Sequence, residues 1–552
     1  MIKTWIVPLI AFLLCTVAGY RIRHYNLPSA GTAIPVPTHV VLTLVTDPTR
    51  DRPVRLEQDG VFLMSANAWR RGLTNIKSKL ASPLQSGGRV RCDDEVACEW
   101  LGQSGEVAGP EDADVTVVSA QSWPDEAASD ASESSLSNEM NIVIPMTSSR
   151  KHGLVAGQIT LGELPLNLTS TNTRRDHLLA SNDLDALVLA PLIKKSSQVR
   201  QNTGKLARSA DQVATDIEYS DALFVVQTLL KYGALAGLIL MMLGRFVLAR
   251  ILLTCVIFTM ITAGSSVFLL AAVPDFRGLL LAGVIGVAFS FVVWRYRVSS
   301  ELNILFGCLL GDVISGGYLG SFAGLGANPI VGARYYGLGN ELSALLLGAL
   351  ICLLPKKPIV RIISVGGVAL LIGHPALGAN GGDMIAVFIG LCLYAVARGG
   401  RKALLLAVAI TLGMACLVVW DAFFAPEAMQ SHLGRSVGAK GMGVAELLTS
   451  KLMAHFRLMT TSAWGITALL SIWWWVSQHI RRNERKLELS TCTASCLFIL
   501  NDSGPVSLTL FTLVMMLDQN SATFTGAWRQ WPTTVIQKES VIENDAIGEG
   551  RA

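Results

Sequence analysis

Four polar clusters interrupt long apolar runs in the second half of the chain, and their residue types suit acid–base chemistry and phosphate binding. The first is the segment GARYYGLGNE, which contains Arg334, Tyr335, Tyr336, Asn340 and Glu341. A glycine-rich approach to a helix exposes backbone N–H groups, and an arginine adds a forked donor, so the segment suits a phosphate or diphosphate. The alternative is tight packing of the glycines around a buried Arg334–Glu341 pair.

The second cluster is GHPALGANGGD, a glycine-rich break between two apolar runs that contains His374, Asn380 and Asp383. Breaks of this kind expose backbone to a cavity in membrane proteins. Either His374 or Asp383 could accept a proton there. A plain turn between two helices explains the glycines equally well.

The third cluster lies in residues 421–462, a long polar interruption that contains His432 and Arg435. It ends in an amphipathic stretch in which Lys451 and His455 are four residues apart and therefore share one helical face. Such a stretch could cover a lipid-linked substrate at a membrane surface. It could also be an ordinary interfacial helix whose cations reach toward water.

The fourth cluster, NDSGP, contains Asn501 and Asp502 and reverses the chain between two apolar runs. The same residues are typical of turns. The cluster matters because the predicted topology places it on the same face of the membrane as the other three.

Together the clusters predict a site that combines a proton acceptor with anion-binding side chains. We expect His374, Asp383 or Glu341 to be the catalytic base, and Arg334 and Arg435 to neutralise a departing diphosphate. The other expected substrate contacts are Tyr335, Tyr336, Asn340, Asn380, His432, Lys451, Asn501 and Asp502. The sequence contains no metal-binding spacing, P-loop or nucleophile elbow, so neither a metal ion nor a cofactor is expected.

Apolar residues dominate the composition around these clusters. The 552 residues are 51% hydrophobic and only 16% charged, whereas about a quarter of a soluble chain is charged. The net charge is only +4, and no basic patch with interleaved aromatic residues appears, which argues against nucleic-acid binding. Eleven apolar runs approach the length that crosses a bilayer, at residues 222–244, 251–273, 278–294, 302–322, 340–355, 359–375, 384–397, 403–421, 463–479, 488–501 and 505–518.

With the apolar N-terminal segment, these runs predict a polytopic α-helical membrane protein of about 12 spans, with an N-terminal extracytoplasmic α/β domain. The expected divisions are a signal anchor or signal peptide (1–20), the α/β domain (21–220), a multi-span membrane domain (221–520) and a cytoplasmic tail (521–552). Alternate short loops carry 14 Lys and Arg, against 6 in the opposite loops. The positive-inside rule therefore places both termini inside and residues 21–220 outside.

The predicted outer domain has short β-rich runs, such as His39 to Val45, that indicate an α/β fold. Residues 121–140 are acidic and serine-rich, so we predict a mobile loop there. Export would permit a disulfide between Cys92 and Cys98. Two free thiols are equally compatible with the sequence.

The motifs GARYYGLGNE, GHPALGANGGD, HLGR with a later lysine, and NDSG, in this order, resemble those of a group of poorly characterised bacterial multi-pass membrane proteins. In that group the outer domain resembles a degenerate alkaline phosphatase. The segment TNTRRDHLLASNDL is similar to the end of that domain, with Arg174, Arg175 and Asp183 at the matching places. The resemblance implies a bacterial cytoplasmic membrane as the location.

The same resemblance extends to residues 39–47 and 61–75, which are similar to the first strand of that fold and the segment after it. The usual Asp-Gly is replaced by Asp47-Pro48, and no histidines stand in metal spacing. The resemblance therefore implies a binding or scaffolding domain rather than an active phosphatase.

A second resemblance concerns Arg334 followed by Gly337, Gly339 and Asn340, which is similar to the Arg, Gly and Pro-Asn pattern of O-antigen ligases and polymerases. Those multi-pass enzymes move glycans from polyprenyl-diphosphate carriers on the outer face without a nucleotide or a metal. The proline before the asparagine is absent here. The resemblance implies a metal-independent glycosyltransferase or ligase.

The sequence thus predicts an outer-face transferase of the cell envelope that acts on a polyprenyl-diphosphate-linked glycan or lipid. Its expected partners are membrane lipid and the lipid-linked precursor. Two alternatives stay open. One is a transporter or flippase of an envelope precursor, suggested by the adjacent runs with glycine breaks, and the other is a non-enzymatic envelope anchor or scaffold.

Overall fold

The structure is a computed structural model that describes part of the chain. The described residues are 8–18, 31–45 (without 35), 61–80, 90–101 (without 93–94), 115–120, 139–145, 154–170 (without 162–163 and 167), 175–193 (without 177), 199–202, 232–240, 301–317, 336–398, 400–425, 430–431, 444–482, 488–501 and 503–518, with positions 20, 243 and 320.

An α/β region occupies the described residues between 31 and 202 and contains two sheets. Its strands are β1 Gly31–Ala33, β2 His39–Val45, β3 Val61–Ser65, β4 Val90–Cys92, β5 Val115–Ala120, β6 Glu139–Pro145, β7 Leu154–Leu161, β8 Leu164–Pro165, β9 Leu168–Ser170, β10 Arg175–Asp176, β11 Leu178–Leu179 and β12 Val199–Asn202. The larger, mixed sheet has the order β11-β3-β7-β6-β2-β5-β4, with β8 paired to β7. The smaller, antiparallel sheet has the order β1-β12-β9-β10.

The central strand β2 illustrates why this region forms a sheet. It pairs in parallel with both β5 and β6, and its sequence HVVLTLV places Val40, Leu42 and Leu44 in the core with no exposed surface. Apolar and β-branched residues at a period of two favour a strand that is packed on its faces.

Helices cover this sheet, and a disulfide ties one of them to it. The helices are α2 Ala66–Leu80, α3 Glu95–Leu101, α4 Ser181–Val188 and α5 Ala190–Ile193. Cys92 of β4 is bonded to Cys98 of α3, and both residues are fully buried. Of the two possibilities that the sequence left open for these cysteines, the structure therefore has the disulfide.

The described residues after 300, together with an N-terminal helix, form a helical region. Its helices are α1 Pro8–Ala18, α6 Glu301–Ser315, α7 Asn340–Leu353, α8 Pro358–Gly373, α9 Gly381–Arg398, α10 Arg401–Phe423, α11 Val444–Thr461, α12 Ala463–Arg482, α13 Leu489–Leu500 and α14 Gly504–Asp518. Helix α9 packs against α8, α10 and α13, and α7 packs against α6 and α8. Small residues bring helices together, since a Cβ on Gly307 would lie 2.9 Å from the Pro8 carbonyl oxygen of α1.

The predicted fold class, a polytopic membrane protein of about 12 spans, is wrong. Among the described residues one helix, α10, is long and apolar enough to cross a membrane by length and composition. The other strongly apolar helices have 10–17 residues; the 14 residues of α7, for example, extend about 21 Å. The correction has a physical reason: a run of apolar residues is required equally by a membrane span and by a helix that is buried in a protein core.

The two kinds of apolar helix differ in what covers their side chains. Ten of the 14 residues of α7 are buried, and eight of them belong to a hydrophobic cluster that all helices from α6 to α10 share. Only four of the 23 residues of α10 are buried, and Leu405 and Leu412 are about 60% exposed. The apolar runs that predicted spans thus form mainly an internal core, with α10 on its outside.

Several predictions fall outside the described residues. They include the runs at 251–273 and 278–294, nearly all of the predicted loop at 121–140, and the tail at 521–552. The predicted division of the chain at residues 20, 220 and 520 stays a prediction for the same reason.

Candidate functional site

Three polar segments that are far apart in the sequence meet where helices begin or end. Asn340 starts α7, residues 374–380 connect α8 to α9, and Asn501 ends α13 before α14. Each is a place where backbone groups lose their helical partners. Side chains that can donate and accept hydrogen bonds are therefore favoured at all three, and here they bond to one another.

Asp383, in the first turn of α9, is the centre of this junction and has no exposed surface. Its Oδ2 accepts hydrogen bonds from Asn380 Nδ2 at 2.7 Å and from the Ser343 hydroxyl, and its Oδ1 accepts one from Asn501 Nδ2. A buried carboxylate needs such donors, because an unpaired charge in an apolar core is very costly. Asp383 therefore joins α7, α9 and the α13–α14 turn.

The asparagines extend the junction toward its rim. Asn380 Nδ2 also contacts Asn340 Oδ1 at 2.9 Å and the Leu338 carbonyl oxygen at 3.1 Å. Asn340 Nδ2 in turn donates to Ser503 Oγ at 2.8 Å and to the Oδ1 of Asn501. Asn340 and Ser503 are partly exposed, whereas Asn380 and Asn501 are buried, so the network leads from the core to the surface.

A backbone contact holds the first two segments together. The Leu338 N–H donates to the Gly378 carbonyl at 2.7 Å. Gly337 has φ of +80°, and a Cβ there would collide with the Gly378 oxygen. This position therefore requires glycine on two counts, its left-handed backbone and its close approach to the neighbouring turn.

His374 caps the end of α8 and lies against the end of α10. Its ring stacks on Trp420 with 6.1 Å between ring centroids, and its Nδ1 accepts a hydrogen bond from the Ala376 N–H at 3.2 Å. Burial lowers the pKa of His374, and the negative charge of nearby Asp421 opposes that shift. With Nδ1 accepting, the neutral ring carries its proton on Nε2. His374 is thus a hydrogen-bond donor in this arrangement.

Asp421 and Tyr336 hold a short piece of the long interruption after α10. Asp421 is buried and accepts hydrogen bonds from the Ser431 N–H at 3.0 Å and from the Ser431 hydroxyl. The Tyr336 hydroxyl donates to the Gln430 carbonyl at 3.2 Å. Tyr336 is therefore buried at a packing contact rather than placed at an open surface.

His455 of α11 brings the amphipathic segment to the same end of the helices. Its ring lies edge-on to Phe498 with 4.8 Å between centroids, and a Cβ on Gly504 would be 2.9 Å from its Nδ1. That Nδ1 is buried and has no hydrogen-bond partner among the described residues. The histidine therefore adjoins the NDSGP turn, beside Ser503.

The structure brings together four of the predicted site residues, Asn340, Asn380, Asp383 and Asn501. Glu341 is partly exposed in the first turn of α7, next to Asn340. Arg334, Tyr335, His432, Arg435 and Asp502 lie outside the described residues, and Lys451 is described only as part of α11.

The expected contact residues did not include Ser343, Ser503 or Ser507, although Ser503 belongs to the NDSGP cluster. Ser507 is buried and accepts from Asn501 Nδ2 at 3.3 Å. A signal existed for Ser343, which follows Asn340 by three residues and so shares its helical face. A serine in a long apolar run is otherwise indistinguishable from a residue that bonds to its own helix.

The donor set of the junction consists of amides, hydroxyls and one carboxylate. Within the described part of the chain, no group of three or more His, Cys, Asp or Glu side chains could hold a metal ion. The set suits recognition of hydroxyl or phosphate oxygens at the partly exposed rim, where Asn340, Glu341 and Ser503 lie.

The chain matches no protein-family model, no curated protein and no solved structure. The two family resemblances therefore stay predictions.

Proposed function

We propose that this protein is a transferase of a bacterial cell envelope, which acts on a glycan or lipid carried on a polyprenyl diphosphate. The observation that supports it most is the convergence of three sequence-distant polar segments at one end of an apolar helical region. A substrate with a hydrocarbon carrier and a polar reacting group needs both kinds of surface side by side.

In this proposal the buried residues of the junction hold the substrate-binding side chains in place and do not react themselves. Both oxygens of Asp383 already accept hydrogen bonds from side chains of other segments. Asp383 is therefore a positioning residue that, through the buried Asn380 and Asn501, holds Asn340 at the rim. This replaces the role of catalytic base that the sequence suggested for it.

The reaction itself is assigned to groups at the partly exposed rim. Glu341 takes the proton from the acceptor hydroxyl as that oxygen forms a bond to the sugar carbon. The bond from this carbon to the diphosphate oxygen breaks, and the electron pair leaves with the diphosphate. His374 donates a hydrogen bond from Nε2 to the departing diphosphate. From their positions in the sequence, Arg334 and Arg435 are expected to neutralise the charge of the diphosphate.

The proposed location is the cytoplasmic membrane, with the α/β region outside as a binding or scaffolding domain. The exposed apolar side chains of α10 and the disulfide in the α/β region support it, because disulfides persist mainly in oxidising compartments. An alkaline wash of isolated membranes tests the location. We expect the full chain to stay in the pellet, and its appearance in the wash would contradict the proposal.

The reaction is tested with the full chain in lipid nanodiscs, a polyprenyl-diphosphate-linked oligosaccharide and an acceptor glycan. We expect release of free polyprenyl diphosphate, and a loss of about 10²–10⁴-fold in kcat for Glu341→Gln with little change in KM. Glu488→Gln is the matched control, since Glu488 precedes α13 at the end opposite Asn501.

Two outcomes would contradict the transferase. One is no release by the unaltered chain, and the other is equal activity of Glu341→Gln and Glu488→Gln relative to it. Movement of the same lipid across a vesicle membrane without cleavage would instead identify the transporter.

A further inference from the structure

A groove between α12 and α13 is lined by side chains that the proposed reaction does not use. Its volume is about 420 Å³, within the range of about 300–1,000 Å³ that small-molecule sites have. The lining is mostly apolar, and Trp475 and Leu508 contribute to it. The groove is therefore a candidate site for a ligand with a hydrocarbon part.

The groove has a firm base and an open mouth. Leu508 and Ala494 form buried parts of the lining, and the Trp475 Nε1 donates to Thr512 Oγ1 at 2.9 Å, which holds the indole ring in place. Val476 and Ile499 are 52% and 65% exposed at the same groove. A preformed wall lowers the cost of binding, because few side chains must be ordered by the ligand.

The polar lining residues gather toward one end. His479 lies near the end of α12 and Thr491 near the start of α13, on either side of the connection between these helices. Ser495 follows one helical turn after Thr491. Ile472 lies seven residues before His479, a distance of about 10 Å along the helix, and it marks the apolar end together with Phe498.

The sequence at the polar end is basic. Helix α12 ends with Arg481 and Arg482, two and three residues after His479. In the sequence, Arg485 and Lys486 follow, against Glu484 and Glu488. An anionic group near His479 would be attracted by this excess of positive charge.

We propose that this groove binds the hydrocarbon chain of an anionic amphiphile, with the head group at His479, Thr491 and Ser495. We assign a free fatty acid as this amphiphile. This site is separate from the junction at Asp383, and it does not depend on the proposed transferase activity.

Photocrosslinking of the full chain tests the proposal with a fatty acid that carries a diazirine in its chain. We expect the label in the peptides that contain residues 472–479 and 491–499. Ser495→Trp fills the mouth and should remove most of this label. Val408→Trp, on the exposed face of α10, is the matched control and should leave the label unchanged.

The head-group assignment has its own test. Loss of one hydrogen bond to a charged group weakens binding by about tenfold or more, and this is the effect we expect for His479→Gln with the fatty acid. The same variant should bind the corresponding fatty alcohol as the unaltered chain does. A parallel arm uses a photoreactive phosphatidylglycerol in the nanodisc, which should label the groove less than the fatty acid does; stronger labelling by the phospholipid would overturn the assignment of a free fatty acid.

Label spread evenly over α10 and the groove would overturn the site, as would label that Ser495→Trp leaves in place. An equal effect of His479→Gln on the acid and the alcohol would overturn the head-group assignment.

Discussion

At the scale of single residues, the hydrogen bonds that a carboxylate already accepts indicate whether it positions other residues or reacts itself. Asp383 is one of the three candidate bases by sequence, because an acidic residue at the head of an apolar run is costly without a function. In the structure, donors from Ser343, Asn380 and Asn501 occupy its oxygens. The cost is thus met by structural hydrogen bonds, and in the proposed reaction the proton transfer is assigned to groups at the rim.

Asp383→Asn should destabilise the full chain by about 1–3 kcal/mol, because its new NH₂ group would face a donor in a buried site. Ser343→Ala should cost less, about 1 kcal/mol, since it removes one donor and leaves the other two. Thermal unfolding in detergent measures both, with Glu488→Gln as a control expected to be within about 0.5 kcal/mol of the unaltered chain. Equal stability of Asp383→Asn and the control would contradict the network.

His374 should make stability depend on pH. Burial lowers its pKa in the folded chain, so between that value and about 6.5 the unfolded chain binds a proton that the folded chain does not. Stability from this residue is therefore present above the unfolded pKa and is lost as pH falls below it. Melting temperatures between pH 8 and pH 5 should fall more steeply for the unaltered chain than for His374→Gln. Parallel curves would exclude this role, and His479→Gln is the matched exposed control.

At the scale of elements, glycines decide how closely the helix ends approach. Gly337 meets the turn at Gly378, whereas a Cβ on Gly367 of α8 would meet nothing within 4 Å. The first glycine is needed for contact between segments. The second lies in a helix interior, where glycine is a weak helix former.

Gly337→Ala should destabilise the full chain by about 2 kcal/mol, since the residue has positive φ and its Cβ would collide with a carbonyl. Gly367→Ala should be neutral or stabilising by up to about 1 kcal/mol. Chemical unfolding of both variants in the same detergent compares them. A loss of the same size in both would mean that helix propensity, rather than the contact, explains the effect.

A second prediction at this scale concerns the contact between α2 and α4. Asp185 of α4 is buried, and it binds Lys79 at 3.3 Å and Asn75 at 3.2 Å, both from α2. Burial raises the pKa of Asp185, and the charge of Lys79 opposes this shift. Lys79→Met should cost about 1–3 kcal/mol at neutral pH, because a buried carboxylate loses its cation.

The loss of stability in Lys79→Met should depend on pH, because the pKa of Asp185 is raised in the folded chain. With the pKa raised, the folded chain binds a proton more readily than the unfolded chain, so stability falls as pH rises between the two values. The destabilisation by Lys79→Met should therefore shrink as the pH is lowered toward the pKa of Asp185. Lys77→Met, an exposed position of the same helix, is the control, and a pH-independent loss in Lys79→Met would contradict the ion pair.

At the scale of the whole molecule, the described apolar side chains form two separate clusters. One consists of residues between 34 and 199, and the other contains Cys15, Ala18 and residues from 234 onward. A division of this kind allows each region to unfold with its own transition.

Removal of the disulfide should affect only one of these transitions. Its six-residue separation corresponds to about 2 kcal/mol in the chain-entropy model. Calorimetry of the full chain should show a lower melting temperature for the α/β transition in Cys92→Ser/Cys98→Ser, with the helical transition unchanged. A shift of both transitions by the same amount would show that the two clusters unfold as one unit.

The local pattern of apolar runs and turn-forming residues in the sequence was enough to locate most of the described helices and the polar breaks between them. The apolar run predicted at 340–355 corresponds to Asn340–Leu353, and that at 505–518 corresponds to Gly504–Asp518. Glycine, proline and asparagine end helices wherever the chain folds, so these boundaries are visible without knowledge of the neighbours.

The sequence by itself determined where apolar helices and polar turns lie, whereas the tertiary structure decided what they face. Hydropathy cannot distinguish lipid from a protein core, and so α7 was predicted to be a span although it is buried by its neighbours. Likewise, only packing shows that Asn501 reaches Asp383, 118 residues away. Burial and pairing depend on contacts between distant segments, and these contacts are not present in any local pattern.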